Sequence, residues 1–169
     1  MDAETVRRFS DSLAMVGAEC ERVESADLST AIAGHVVEPA VGVAPPFAPD
    51  ALASTAVETD PSPSAVTAAE TAVTPGRFAI ADTGSVAVPS TPDAVEPISL
   101  YADRHLLVVP EGEIYPDFDA GFDRLVEELA AGTDSVVLAT GPSATADMGA
   151  LVHGAHGPKA VHVLTVTDR

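Results

Sequence analysis

The sequence predicts an α/β fold in which a mainly parallel sheet is flanked by helices. Along the chain, short apolar segments alternate with segments whose apolar residues recur at helical spacing, as in strands joined by helices. The clearest unit is residues 134–169, where apolar strands at 135–139 and 160–166 flank a Gly-Pro-Ser turn and a helix-start signal. We expect these two strands to be parallel and joined by a right-handed helical crossover.

Length and charge limit the classes of function. A chain of 169 residues is about one domain by the usual prior. Its 26 acidic and 8 basic residues give a net charge of -18, whereas nucleic acids and anionic membranes bind clustered Lys and Arg. We therefore expect no nucleic-acid partner. The acids are spread along the chain, which is typical of the solvated surface of a halophile's protein, where salt screens the repulsion.

Cysteine content and hydropathy indicate the cellular setting. Cys20 is the only cysteine, so the chain forms no internal disulfide and lacks the thiolate set of an iron–sulfur cluster. We interpret Cys20 as a buried structural thiol. The N-terminal MDAETVRRFSDS has no apolar core of a signal peptide, and no run approaches the ~18 apolar residues of a membrane helix. These features predict a cytoplasmic protein without membrane insertion.

The N-terminal half is predicted to supply an amphipathic helix and the first strands. The helical spacing of apolar residues predicts that the N-terminal segment 1–22 forms a helix over residues 3–22, with Cys20 on its apolar side. A short helix follows near Leu28. The Pro-rich stretch 44–63 is interpreted as a surface loop leading into a helix over 64–71. Strands are predicted at residues 35–37, 41–43, 72–74, 78–81 and 85–88.

The C-terminal half is predicted to contain one clear strand and one clear helix. Residues 98–100 have weak strand character, and residues 104–109 form an apolar strand with a polar start. A helix begins near Asp117 and ends at Gly132, because carboxylates favour a helix N-terminus and glycine a C-terminus. We interpret its acids, Glu128 among them, as a solvated face. Its apolar stripe consists of Phe118, Phe122, Leu125, Val126 and Leu129.

A glycine turn between two strands carries the first candidate ligand-binding residues. The segment AIADTGSVAV (79–88) contains Asp82, Thr83, Gly84 and Ser85 between apolar runs. Composition alone also fits a plain hairpin turn in which Asp82 hydrogen-bonds its own backbone. The functional interpretation is a polar nest at the edge of a pocket, facing a second glycine turn.

The second turn, TGPSATAD (140–147), follows the apolar strand at 135–139. In open α/β sheets, ligands bind at the loops after the carboxyl ends of strands. A glycine before a helix N-terminus also suits a small anionic ligand, because backbone N–H groups point at it. The same sequence fits an ordinary capped helix start. The candidate residues of this turn are Thr140, Gly141, Ser143, Thr145 and Asp147.

Three histidines complete the candidate set. His105 opens a strand and could reach the pocket, while His153 and His156 lie three residues apart and could share one helical face. With Asp147 or His105 they could supply three metal ligands. Glycines interrupt that helix and the spacing matches no strong zinc motif, so we expect no metal and interpret the loop as closing the pocket. The other two histidines are interpreted as solvated or structural: His35 and His162.

Together these motifs resemble the LUD domain family of the lactate utilization protein C (LutC/YkgG) type. The resemblance rests on AIADTGSVAV (79–88), the strand opening with His105, TGPSATAD (140–147), and HGAHGP (153–158) before a final strand. It implies a single LUD-like domain over residues 1–169, with a fold similar to the NagB/RpiA/CoA-transferase group. It also implies a subunit of an iron–sulfur L-lactate oxidation system whose partner subunits carry the clusters, so that this chain binds no cofactor of its own.

Two positions depart from the family motif Gly-Pro-Ser-Arg-Thr-Ala-Asp-Ile-Glu. Ala144 replaces the arginine and Gly149 the glutamate, and a missing guanidinium removes a bidentate grip on carboxylate or phosphate. A Ser-His-Asp hydrolase is not predicted, because the Gly-x-Ser-x-Gly elbow is absent. Neither motif offers the glutamate nucleophile of a CoA-transferase. The alternative is a stand-alone protein or enzyme that binds sugar phosphates or acyl-CoA.

The charge of the chain predicts salt-dependent stability. Raising KCl from low to molar concentration shortens the Debye length to about 3 Å, which screens the repulsion among the excess carboxylates. We expect the thermal unfolding midpoint to rise over that range when it is followed by circular dichroism. A midpoint that does not change with KCl would contradict the halophilic interpretation.

Overall fold

The computed structural model describes residues 2–147, 150–153 and 156–169, and for residues 145–147 and 150–153 the backbone alone. The helices in this part of the chain are α1 (Ala3–Met15), α2 (Leu28–His35), α3 (Pro63–Ala68), α4 (Val95–Tyr101) and α5 (Phe118–Ala130). The strands are β1 (Glu19–Val23), β2 (Ala40–Gly42), β3 (Val57–Glu58), β4 (Thr71–Pro75), β5 (Phe78–Ile80), β6 (Ser85–Pro89), β7 (Arg104–Pro110), β8 (Ile114–Tyr115), β9 (Val136–Ala139), β10 (Ala144–Asp147), β11 (Ala150–His153) and β12 (Ala160–Val166).

The strands form one large parallel sheet and two smaller antiparallel or mixed units. The large sheet has six strands in the order β1-β12-β7-β4-β2-β3, and every neighbouring pair is parallel. The small sheet has the order β8-β5-β6-β9, with β6 antiparallel to both neighbours. Strands β10 and β11 form a separate antiparallel hairpin. The predicted α/β class, a mainly parallel sheet flanked by helices, is confirmed.

The large sheet has two apolar faces that are covered by different elements. Alternate residues of a strand point to opposite faces, so Leu107 and Leu106 of β7 belong to different cores. Leu107 packs in a core with Phe9 of α1 and Val86 of the small sheet. Leu106 packs in a second core with Ile32 of α2. The small sheet and α1 therefore lie on one side of the large sheet, and α2 lies on the other.

The N-terminal helix is shorter than predicted, and Cys20 lies in a strand. Helix α1 ends at Met15, and Gly17 adopts a left-handed φ of 79°. The Gly17 and Ala18 amides donate to carbonyls of the last helical turn at 3.1 and 2.9 Å, which is the Schellman ending that glycine favours. The helical spacing of Cys20 is thus coincidental: it is a strand residue whose side chain packs against the same core. Burial raises the pKa of its thiol to about 11.

Two predicted strands are replaced by a helix or by the end of one. His35 is the last residue of helix α2, whose Leu28 and Ile32 are fully buried, and Val36 and Val37 follow it outside any helix or strand. Residues 98–100 lie in α4, where Ile98 and the adjoining Ala102 pack against β2 and β4. A spacing of four residues places side chains on one helical face. The predicted hairpin of residues 78–88 is confirmed, with Gly84 at a φ of 63° in its turn.

The predicted helical crossover between residues 139 and 160 is wrong. Strand β9 belongs to the small sheet, where it pairs with β6, while β12 pairs with β1 and β7 in the large sheet. Among the described residues between them, Ala144–Asp147 and Ala150–His153 form the β10–β11 hairpin. The Ser143 amide donates to the Pro158 carbonyl at 2.8 Å, so the helix-start signal serves a loop contact instead. Short polar residues favour turns as strongly as they favour helix starts.

Helix α5 partly buries only one residue of its predicted apolar stripe, Leu125. Gly121 lies against the small sheet, where an added Cβ would come within 2.5 Å of Ile80, and Leu125 packs nearby. Glu128, interpreted as solvated, is only 5% exposed. Four apolar side chains instead face outward, each 45% to 51% exposed: Phe118, Phe122, Val126 and Leu129. We call these four residues the α5 stripe.

The Pro-rich stretch 44–63 lies at the surface but is anchored in the core. It consists mostly of turns, yet Leu52 is 2% exposed and Val57 pairs with Ala40 in the large sheet. The helix predicted over 64–71 begins at Pro63 and ends at Ala68, with Ser62 as its N-cap. Among the residues that the structure describes, no helix is both long and apolar enough to cross a bilayer.

Candidate functional site

The two predicted glycine turns lie side by side because β6 pairs with β9. Val86 is opposite Ala139 in that pair, which places Ser85 next to Thr140. Their hydroxyl oxygens are 2.6 Å apart, and Thr83 Oγ1 donates to Ser85 Oγ at 2.8 Å. These three side chains form a hydroxyl cluster, with Ser85 buried and Thr140 exposed. The structure thus brings the two turns together, and their role in ligand binding stays a prediction.

Three other residues of these turns lie against helix α1 or its C-cap Val16. Asp82 Oδ1 accepts a hydrogen bond from Arg8 Nη1 at 3.0 Å. A Cβ added at Gly84 would lie 2.9 Å from the Leu13 nitrogen, and one added at Gly141 would lie 2.6 Å from the Val16 carbonyl oxygen. Both glycines have positive φ values, 63° and 69°. Close approach of α1 therefore explains the two glycines without a ligand.

Four of the predicted site residues line a small cavity beside the hydroxyl cluster. The cavity has a volume of about 130 Å³, and its lining includes His105, Gly141, Ser143 and His156. His156 is exposed, whereas His105 is 2% exposed and shares a 2.7 Å hydrogen bond with the Thr74 hydroxyl. Organic ligands usually occupy pockets of about 300–1,000 Å³. This cavity therefore suits only a very small molecule.

Three predicted site residues are described by their backbone alone. Thr145 and Asp147 lie in β10 and His153 in β11, where Asp147 is opposite Ala150 and His153 is opposite Ala144. The proposed roles of their side chains fall outside the described part of the chain, as does the replacement Gly149. Strand geometry replaces the helix N-terminus on which the predicted anion site at this turn depended.

A larger cavity lies at the carboxyl ends of β4 and β7. It has a volume of about 470 Å³ and is bordered by Pro75, Pro110 and Phe47 of the Pro-rich stretch. We call it the carboxyl-edge cavity. Ligands of open α/β sheets bind at this edge of the strands, and the volume falls in the range of small-molecule sites. The charged residues that line it are Arg77, Glu113, Arg124 and Glu128.

A buried carboxylate between two arginines forms one wall of this cavity. Glu128 accepts a hydrogen bond from Arg77 Nε at 2.7 Å and pairs with Arg124. Arg124 Nε also lies 3.6 Å from a Glu113 oxygen. Burial alone would raise the pKa of the Glu128 carboxyl, but hydrogen bonds and charges from the two arginines hold it below its usual value. The carboxylate is thus ionised, and guanidinium groups are the side chains best suited to a ligand carboxylate or phosphate.

Sequence reasoning missed this cavity because its charged residues are far apart in the chain. Arg77 and Glu128 are separated by 51 positions, and Glu128 has the pattern of a solvated helix acid. One signal was available: Arg77 lies three residues after the apolar strand predicted at 72–74, where the carboxyl-edge rule places ligands.

The family of the chain follows from its match to a family model. The family model of the LUD domain matches residues 63–166, a span that includes both glycine turns, the charged residues of the carboxyl-edge cavity and the final strand. The chain belongs to the LUD domain family. The resemblance inferred from its motifs is therefore confirmed.

Two curated relatives of this LUD domain protein have the same printed name. "Lactate utilization protein C" of Bacillus subtilis is 30% identical over 105 residues, which are 60% of this chain and 44% of the relative. "Lactate utilization protein C" of Deinococcus radiodurans is 28% identical over 172 residues, which are 97% of this chain and 80% of the relative. The match thus spans less than half the length of the B. subtilis protein.

A solved structure shares the fold of this LUD domain protein. It is the crystal structure of a DUF162 family protein from D. radiodurans, with a TM-score of 0.76 over 97% of both chains and 24% sequence identity. This similarity supports the arrangement of strands and helices described above.

The buried His105 predicts an acid-sensitive fold. Burial lowers its pKa from 6.5 to about 4, so between these values the unfolded chain takes up a proton that the folded chain excludes. We expect the free energy of unfolding to fall by roughly 3 kcal/mol as pH drops through this window. Urea unfolding at several pH values should show a shallower dependence for His105→Gln than for the wild type. His156→Gln, an exposed imidazole, is the control, and equal slopes for His105→Gln and wild type would contradict the prediction.

Proposed function

We propose that this protein is a LutC-like subunit of an iron–sulfur L-lactate utilization system in the cytoplasm and carries no cluster of its own. The proposal is supported by LUD family membership and by two relatives named for lactate utilization. Cys20 is the only cysteine, so clusters of such a system belong to partner subunits. A subunit of this kind needs a surface that binds its partners.

The α5 stripe is the surface that supports this role best. Its four apolar side chains are about half exposed, and the Phe118 and Phe122 rings stack with centroids 5.9 Å apart. Monomeric proteins rarely expose contiguous apolar patches, and aromatic residues dominate the energetic centres of interfaces. Asp119 and Asp123 lie on the same helix and are exposed. The complementary partner is a cysteine-rich subunit with an apolar groove and a basic rim.

Substitution in the α5 stripe tests the partnership. We expect Phe122→Ser to weaken binding to a cysteine-rich iron–sulfur partner subunit by about 30-fold or more, as for an interface hot spot of ~2 kcal/mol. The fold should persist because the ring is half exposed. Purified, reconstituted iron–sulfur subunits and the full chain would be titrated by calorimetry, and Tyr101→Ser, on α4, is the exposed aromatic control.

Three results would count against the assignment as a subunit. One is undiminished binding by Phe122→Ser, and another is self-association of the chain through the stripe in place of partner binding, seen by sedimentation. The third is normal growth on lactate after deletion of the gene.

A second candidate function is a stand-alone protein that binds a sugar phosphate, an acyl-CoA or a similar anion. The carboxyl-edge cavity favours it, because the cavity has the volume of a ligand site and is lined by two arginines. A ligand carboxylate or phosphate would share these guanidinium groups with Glu128, which lies between them.

A ligand screen separates the two functions. Thermal shift of wild type would be measured with lactate, acyl-CoA thioesters, nucleotides and sugar phosphates. For a stand-alone anion-binding protein, we expect at least one ligand to raise the midpoint, an effect that Arg77→Gln abolishes because it removes a donor from the cavity. Arg7→Gln, an exposed arginine on α1, is the matched control. If no ligand shifts a well-folded sample, this second function is excluded for the classes screened.

A further inference from the structure

Glu19, Glu21, His35 and His162 meet on the face of the large sheet that carries α2. Parallel pairing places Glu19 opposite His162, and the two-residue period of β1 puts Glu21 on the same face. Helix α2 crosses this face and ends at His35. Three elements separated in sequence thus deliver two imidazoles and two carboxylates to one place, none of which belongs to the candidate sites described above.

The distances among these side chains are those of a shared ligand set. One ligand atom each from Glu21, His35 and His162 lies within 4.8 Å of the other two. His35 Nε2 is 2.8 Å from Glu21 Oε2, and His162 Nε2 is 3.9 Å from the same oxygen. The two imidazole rings lie with centroids 3.9 Å apart and planes tilted by 35°. We call these three residues the histidine–carboxylate cluster.

A second carboxylate, that of Glu19, fixes the orientation of the His162 ring. Glu19 Oε2 is 3.1 Å from His162 Nδ1, which places the proton of a neutral ring on Nδ1 and leaves the Nε2 lone pair directed toward the cluster. Within the described residues, that buried Nε2 has no hydrogen-bond partner. A buried polar atom without a partner is costly in a folded protein. Metal-binding histidines commonly donate their other N–H to a carboxylate in this way.

We propose that Glu21, His35 and His162 bind a divalent transition-metal ion, with Glu19 as the carboxylate that orients His162. Two imidazoles and one carboxylate are a ligand set of zinc and of iron(II) and leave coordination positions open. The cation satisfies the lone pair on His162 Nε2 and offsets the charges of the two glutamates. The negative C-terminal end of α2, at His35, also favours a cation.

The proposed metal site borders a cavity. A cavity of about 330 Å³ is lined by His35 and His162 together with Arg104 and Lys159. The two cationic side chains are held in ion pairs, Arg104 with Glu70 at 3.8 Å and Lys159 with Asp103 at 2.6 Å. The remaining metal positions are thus accessible to water or to a small anion. From the sequence we expected no metal, but that expectation concerned other residues: His153, His156, Asp147 and His105.

Zinc binding to the full-length protein tests the site directly. Chelator-treated protein would be titrated with ZnCl₂ by calorimetry, and cobalt(II) would report coordination through its visible spectrum. We expect one ion per chain for wild type, loss of binding in His162→Gln and His35→Gln, and a 10–100-fold weaker affinity in Glu19→Gln, as for other outer carboxylates. Circular dichroism of each metal-free variant would verify folding. The control for charge is Glu24→Gln, an exposed acid just after β1.

The controls distinguish this site from the other histidines. His156→Gln should bind zinc as tightly as wild type, and its loss of binding would assign the metal to the 153–156 loop instead. Absence of stoichiometric binding to folded wild type would overturn the proposal, as would binding that survives in both His35→Gln and His162→Gln. In those cases the histidines serve only as partners of the glutamates. None of these outcomes depends on lactate utilization, so the zinc titration tests the metal site independently of the proposed partnership.

Discussion

The insertion of β12 between β1 and β7 is the constraint on which the rest of the structure depends. This last strand pairs in parallel with both neighbours over nearly its whole length. Its end is fixed by Glu111, a 5% exposed carboxylate that accepts two hydrogen bonds from Arg22 of β1, at 2.6 and 2.9 Å, and one from Thr165 of β12. These donors satisfy the buried carboxylate, and they reach it only in the observed register of β1 and β12.

This register directs alternate residues of β12 to opposite faces of the large sheet. Odd-numbered residues of β12, such as Val163, pack against α1 and the small sheet, beside His105 and the hydroxyl cluster. Even-numbered residues face α2, and His162 is among them. A shift of one residue would exchange the two sets. The histidine–carboxylate cluster and the hydroxyl cluster are therefore separate places that depend on one strand pairing.

Helix α5 connects the carboxyl-edge cavity with the α5 stripe. Its inward face supplies Arg124 and Glu128 to the cavity, where Arg77 completes the charge network. Its outward face leaves Phe118 and Phe122 half exposed. An amphipathic helix normally buries its apolar face. Helix α5 instead presents charged side chains to the carboxyl-edge cavity and leaves most of its apolar side chains exposed.

The sequence by itself determined the α/β class, the family and the 78–88 hairpin, because periodicity and motifs are local. Tertiary structure decided which strands are neighbours, which face of α5 is buried, and that residues 144–147 pair with residues 150–153. It also placed Glu21 and His162 together, and Arg77 beside Glu128. Those contacts join residues that are distant in the chain, and their pairing depends on sheet order and register, which no local pattern encodes.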